Sequence, residues 1–161
     1  MTDQPLPTRF AHQRLDAYRV AFELFRGVEG LARDLPRGCA DLKDQLRRAA
    51  SATVPNLSEG ANRVHPKDKA ARFTVARGEV GETDAALEMV AALGLASAAQ
   101  VRQLRTLADR VAAMSWGLIR RERLRRGRRV SEPWRFQRDP AASPVHDVKS
   151  QIRKQHPSCL F

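Results

Sequence analysis

The chain has 161 residues, 42% of them apolar and 6% aromatic, and carries a formal net charge of +11 with a pI near 11.1. That is enough sequence to bury one core, and its runs of Ala, Leu, Arg and Glu, with few β-branched or aromatic clusters, exclude a sheet protein. No apolar run is long enough to span a membrane, the N-terminal MTDQPLPTRF has no apolar leader core, and Cys39 and Cys159 lack metal spacing, so the expected setting is the cytoplasm with both thiols reduced.

Apolar residues three and four apart, the mark of a helix with one buried stripe, recur in four segments. The first is expected from Gln13 to Leu35, with Tyr18, Phe22, Phe25, Val28, Ala32 and Leu35 facing the core before Pro36 and Gly38 end it. The second begins near Ala40, with Asp41 as its N-cap, and buries Leu42, Leu46, Ala49, Ala50, Thr53 and Leu57 before Gly60 closes it. Pro55 lies inside it, removes one backbone donor and predicts a local kink.

His65-Pro66 opens the third helix, because proline is tolerated in a first turn where its missing N–H has no partner to lose. Its stripe is Phe73, Ala76, Val80, Leu87 and Val90, and Gly94 ends it. Ser97 caps the fourth, whose stripe is Val101, Leu104, Leu107 or Ala108, Val111, Met114 and Leu118. Short connections make consecutive helices antiparallel neighbours. The fold class is therefore an all-α, up-down-up-down four-helix bundle with a basic, partly disordered C-terminal extension. The divisions are an N-terminal arm at 1–12, the bundle at 13–119 and an Arg-rich tail at 120–161.

Charge divides along the same line. Residues 1–119 hold 17 basic and 14 acidic side chains, whereas residues 120–161 hold 12 basic and 4 acidic ones. The tail begins RRERLRRGRR, in which Arg120, Arg121, Arg123, Arg125, Arg126, Arg128 and Arg129 surround Glu122, Leu124 and Gly127. Guanidinium forks bind phosphate and stay charged, so this run, continuing helix four, predicts a salt-sensitive attraction to RNA or DNA. Trp134 is placed to stack on unpaired bases. A protein partner docking on the same tail is the alternative.

Adjacent Arg47 and Arg48 cannot point the same way on a helix. One is expected to face the bundle and fix its register by an ion pair, with Glu59, Glu79 and Glu82 as partners; the other faces solvent or a neighbouring subunit. Gly78 and Gly81 are expected to let helices approach closely. Glu79, Glu82 and Asp84 cluster, yet no Glu-x-x-His pair accompanies them, so a di-metal carboxylate site is not expected. Ser51, Thr53 and Ser58 have no nearby histidine to activate them, and no phosphate-binding loop or nucleophile elbow occurs. The reading is a protein without enzymatic activity, metal or cofactor.

The segment QLRRAASATVPNLSEGANR also resembles the four-helix-bundle proteins of the 23S rRNA-intervening sequence family, which read Q-L-R-R-A followed downstream by N-[IL]-[AS]-E-G. Here these are Gln45-Leu46-Arg47-Arg48-Ala49 and Asn56-Leu57-Ser58-Glu59-Gly60. Gly78-Glu79-Val80-Gly81-Glu82 resembles that family's G-S-x-x-E, with Glu79 in the serine's place. The resemblance covers residues 13–119 and omits the tail. It implies similarity in fold to the accessory variability determinant of diversity-generating retroelements, a basic pentameric barrel that binds a reverse transcriptase and nucleic acid. On that resemblance the chain is expected to form a homo-oligomer, a pentamer by preference, and to bind nucleic acid, RNA before DNA, beside a reverse transcriptase.

Overall fold

The computed structural model describes residues 10–127, with side chains through Arg125. A short 3-10 helix, Ala11–Arg14, leads into four α-helices: α1 (Asp16–Asp34), α2 (Ala40–Asn62), α3 (Pro66–Ala92) and α4 (Ala98–Gly127). Each helix packs on two others, α1 on α2 and α4, and α3 on α2 and α4, with no diagonal contact between α1 and α3 or α2 and α4. Joined by short connections, this is the expected up-down-up-down bundle.

The helix ends follow local chemistry. Pro66 stands in the first turn of α3 behind an extended His65, and the Ser97 Oγ accepts the Gln100 amide at 3.2 Å, capping α4. After α3 the chain reverses through Gly94, whose φ of +62° is the left-handed conformation that favours glycine. Asp41 is not the N-cap of α2. Cys39 holds that position and Asp41 falls in the first turn, where a carboxylate still favours the positive end of the helix dipole. Helix α2 runs through Pro55 as one continuous element.

The core stripes of α2 and α3 are the expected ones. Leu46, Ala49, Thr53 and Leu57 are fully enclosed, as are Ala76, Leu87 and Val90. On α1 the expected stripe holds at Val28, Ala32 and Leu35, all buried, and is displaced in the first half of the helix. Ala17, Val20, Ala21, Leu24, Val28 and Leu31 fill the core, while Tyr18 and Phe25 are half-buried and Phe22 is 45% exposed. Helix α1 carries two adjacent apolar stripes; the slimmer aliphatic one fits between α2 and α4, and the bulky aromatic one is turned outward. On α4 the stripe runs Val101, Leu104, Ala108, Val111, Ser115, Ile119 and Glu122, leaving Met114 and Leu118 at its edge. The buried positions keep a heptad-like spacing, with Val101, Ala108, Ser115 and Glu122 seven residues apart, so the stripe passes beside Met114 and Leu118 and ends on Glu122.

Two glycines mark the closest helix approaches. A Cβ on Gly60 would lie 2.6 and 2.7 Å from ring carbons of Phe73, itself 2% exposed, and one on Gly27 would meet the Leu104 side chain. Gly78 and Gly81 behave otherwise: both are exposed, and apart from their own helix backbone no atom of the described residues lies within 4 Å of where a Cβ would sit. The close approach expected at these two positions is absent within the chain, since they lie on the outward face of α3.

Ion pairs join neighbouring helices at three seams. Arg47 Nε reaches Glu29 Oε2 of α1 at 3.3 Å, so its partner is none of Glu59, Glu79 and Glu82; the pair lacks hydrogen-bond alignment, leaving the buried Nε without a hydrogen bond. Arg48 is exposed, Glu82 is exposed and Glu79 is half-buried; no ion pair is seen for these three among the described residues. Glu59 binds Arg63 on its own helix and Arg72 of α3 at 3.0 Å. Arg105 of α4 forks onto Asp84 at 2.7 and 3.1 Å and also reaches Glu88 at 2.7 Å. Bidentate geometry makes this the best formed of the pairs, and these bonds hold the Arg105 proton more tightly than usual, the Asp84 hydrogen bond foremost.

Replacing Gly60 with Ala should therefore destabilise the fold. Overpacking against Phe73 costs about 1–3 kcal/mol, more than the gain of about 1 kcal/mol in helix propensity offsets; a urea midpoint equal to or above the parent's would show that the ring swings aside. Glu59 gives a second test. The Arg63 hydrogen bond holds its carboxyl below the usual glutamate range, partial desolvation opposes this, and Arg72 adds to the lowering. A depressed folded pKa supplies stability at neutral pH that is lost as pH falls through that value. Glu59→Gln should thus be less stable than the parent at pH 7 and converge with it in acid, measured by denaturant midpoints along a pH series.

Candidate nucleic-acid interface

In an up-down-up-down bundle the C-terminus of α4 lies beside the N-terminus of α3, and Arg120 to Arg125 occupy the end of α4. Helix α4 continues to Gly127, past the division at residue 119. Arginines suit this end because a helix C-terminus is the negative pole of its dipole. Successive residues turn by about 100°, so with Glu122 turned inward the neighbouring arginines fan over the remaining arc. Arg120, Arg121, Arg123 and Arg125 are all exposed, and Leu124, opposite Glu122, is 69% exposed.

Of these four arginines, only Arg125 is held by an acid among the described residues: its Nη1 lies 3.7 Å from Glu122 Oε1. The others are free cations, in contrast to Arg47, Arg63, Arg72 and Arg105, which all answer carboxylates. Arg126 lies within α4, while Arg128, Arg129 and Trp134 fall outside the described residues. The structure does offer another aromatic. Trp116 is 44% exposed one turn before Arg120, with the Arg77 guanidinium 5.7 Å from its ring centroid. Trp116 belongs to no sequence motif and had no expected role; its exposure is what distinguishes it.

Where α4 passes α3, a pocket of about 200 Å³ opens, walled by Pro66, Ala70 and Ala71 and bordered by Lys67, Glu122 and Arg123. Glu122 is 5% exposed, and its Oε2 is buried without a hydrogen-bond partner.

A second surface feature runs along α1 and the preceding turn. The rings of Phe10, His12, Tyr18, Phe22 and Phe25 follow one another with centroids 4.7–6.4 Å apart. His12 Nδ1 is 3.1 Å from Asn62 Nδ2, tying the turn to the end of α2. Among the described residues, no group of three His, Cys, Asp or Glu is close enough to hold a metal, and no helix is long and apolar enough to cross a membrane.

The residues shared with the resembling family have structural duties. Leu46, Ala49 and Leu57 are fully buried, the Asn56 side chain donates to the Ala52 carbonyl at 2.8 Å, and Glu59 and Gly60 join α2 to α3. No match is found among curated proteins. The family model described as "23S rRNA-intervening sequence protein" matches residues 13–117, from the turn before α1 through most of α4. With the four-helix fold and this match over most of its length, the chain belongs to the 23S rRNA-intervening sequence protein family.

Proposed function

We propose that the protein is a non-enzymatic, cytoplasmic, homo-oligomeric nucleic-acid-binding accessory protein, with RNA as its ligand and a reverse transcriptase as a protein it assists. The observation that carries the nucleic-acid part is the row of exposed arginines at the end of α4, three of them without a carboxylate partner among the described residues. Cations left unanswered on a rigid helix lose no attraction to internal acids, so counterion release on phosphate binding is available in full. Trp116, exposed one turn away and already under Arg77, adds a stacking surface for an unpaired base. Arg128, Arg129 and Trp134, outside the described residues, belong to the same proposal.

The oligomer is supported by the outward aromatic stripe of α1. Exposed, contiguous aromatic surface is typical of protein interfaces, and Phe22 at its centre is 45% exposed. Gly78 and Gly81 add to this, since nothing in the chain itself requires those positions on α3 to be small. A pentamer is the stoichiometry proposed.

Replacing Arg120, Arg121, Arg123 and Arg125 together with Gln should lower the slope of log affinity against log salt by roughly 3 for single-stranded RNA, at about 0.7 per phosphate contact. Fluorescence anisotropy over a salt series reads this; an unchanged slope would overturn the placement of the interface. If the parent shows no salt-dependent RNA binding and its basic end instead captures one protein, the protein-interaction scaffold replaces this reading. For the oligomer, Phe22→Asp should yield a monomer of unchanged helicity by light scattering and circular dichroism. A parent that is already monomeric refutes it.

A further inference from the structure

The outward stripe of α1 has no cover among the described residues. Phe22 is 45% exposed, and the ring centroids of Tyr18 and Phe25 lie 6.4 and 6.1 Å from its own. Arg26 stands beside it, about 40° around the helix at 100° per residue. It is exposed and has no ion pair among the described residues. Arg19 and Arg33, both exposed, repeat seven residues to either side, so three guanidinium groups line one flank of the rings. Of these, Arg19 meets only the exposed Asp16, at 3.5 Å. The face is apolar along its ridge and positive along its edge.

A matching cover is apolar, shallow and bordered by acid. A second α1 stripe fits poorly, because it would bring the two lines of arginines together. The outer face of α3 has the required character. Ala71, Val75, Glu82, Ala85 and Met89 all lie within about 60° of Gly78 around the helix, and all are exposed. Val75 and Met89 are 43% and 48% exposed. Glu82 is the one charge in this arc, and neither it nor the half-buried Glu79 at the edge has an ion pair among the described residues. Glycine inside a helix weakens it relative to alanine, yet no other helix approaches Gly78 or Gly81 among the described residues. Their bare backbone is a recess open to a large ring arriving from outside.

We infer that the aromatic stripe of α1 packs on the outer face of α3 in a second copy of this chain, with Phe22 over Gly78 and Gly81, and Arg19 and Arg26 against Glu79 and Glu82. The inference rests on the homo-oligomeric reading and specifies its interface. Large rings set into a shallow apolar face, with opposite charges at the rim, are the ordinary anatomy of a protein interface. The bundle also dictates the symmetry. Helices α1 and α3 are diagonal and do not touch, so their outward faces point away from each other and one neighbour cannot cover both. Each copy therefore offers α1 to one neighbour and α3 to another. Such a head-to-tail contact excludes a two-fold dimer and is satisfied throughout only in a closed ring.

Two full-length variants block one face each: Phe22→Asp on α1, and Gly78→Gln with Gly81→Gln on α3. Each alone should be monomeric by light scattering, with the helicity of the parent by circular dichroism, because both glutamines enter open space. Mixed in equal amounts, they should form a complex of twice the monomer mass and nothing larger, since only one intact α1 stripe and one intact α3 face remain to meet. Should Phe22→Asp fail to fold, Arg26→Glu takes its place, at an exposed position without an ion pair. A mixture that stays monomeric, or a glycine double variant that assembles like the parent, overturns the inference. The wider reading fails differently. If the parent assembles and only the α1 variant does not, the homo-oligomer stands and this interface falls; a monomeric parent sinks both.

Discussion

The bundle depends on how closely α2 and α3 approach. Gly60 presents bare backbone to α3, and the Phe73 ring fills the space that a Cβ would take. One residue earlier, Glu59 reaches across the same seam to Arg72 while binding Arg63 beside it. A single turn of α2 thus carries both the steric and the electrostatic fit of the two helices. The short connection His65-Pro66 then reverses the chain, so the register set at Gly60 propagates along the length of α3.

That register determines the chemistry at the other partner of α3. Asp84 and Glu88 come to face Arg105 of α4, and Arg77 comes to lie over Trp116. Because acids of α3 answer basic residues of α4 along the middle of the seam, the bundle is close to neutral there. Past the reach of those acids, α4 continues as a helix, and among the described residues its terminal arginines have no matching carboxylate apart from Glu122. The unbalanced positive charge at this end is therefore produced by a mismatch in composition between two packed helices, on a helix that runs to Gly127.

Glu122 is the exception on both counts. It is an acid in the basic run and a charge in the core stripe, placed opposite Pro66 and Lys67. Its Oε1 has the Arg125 ion pair, but its Oε2 is buried without a hydrogen bond, which is uncommon in native proteins. Arg47 Nε and Ser115 Oγ are also buried without hydrogen bonds, but neither borders the pocket beside α3.

The sequence by itself determined the helices, their order and most of the core. Periodicity alone placed the α2 stripe from Leu42 to Leu57 and the α3 stripe from Phe73 to Val90, because a 3.6-residue period leaves only one face to bury. Gly60, expected to close α2, lies within it, and its role is the close approach to Phe73. Tertiary structure decided what periodicity leaves degenerate. On α1 two apolar stripes competed in the first half of the helix, and the core took Ala17, Val20, Ala21 and Leu24 over Tyr18 and Phe22, while Val28 and Ala32 are buried as expected. Arg47 found Glu29 rather than an acid of α2 or α3, since ion pairing depends on which helix lies alongside. On α4 the structure turned Trp116 outward and Glu122 inward, because the buried face keeps the seven-residue spacing of Val101, Ala108 and Ser115, which brings Glu122 into it.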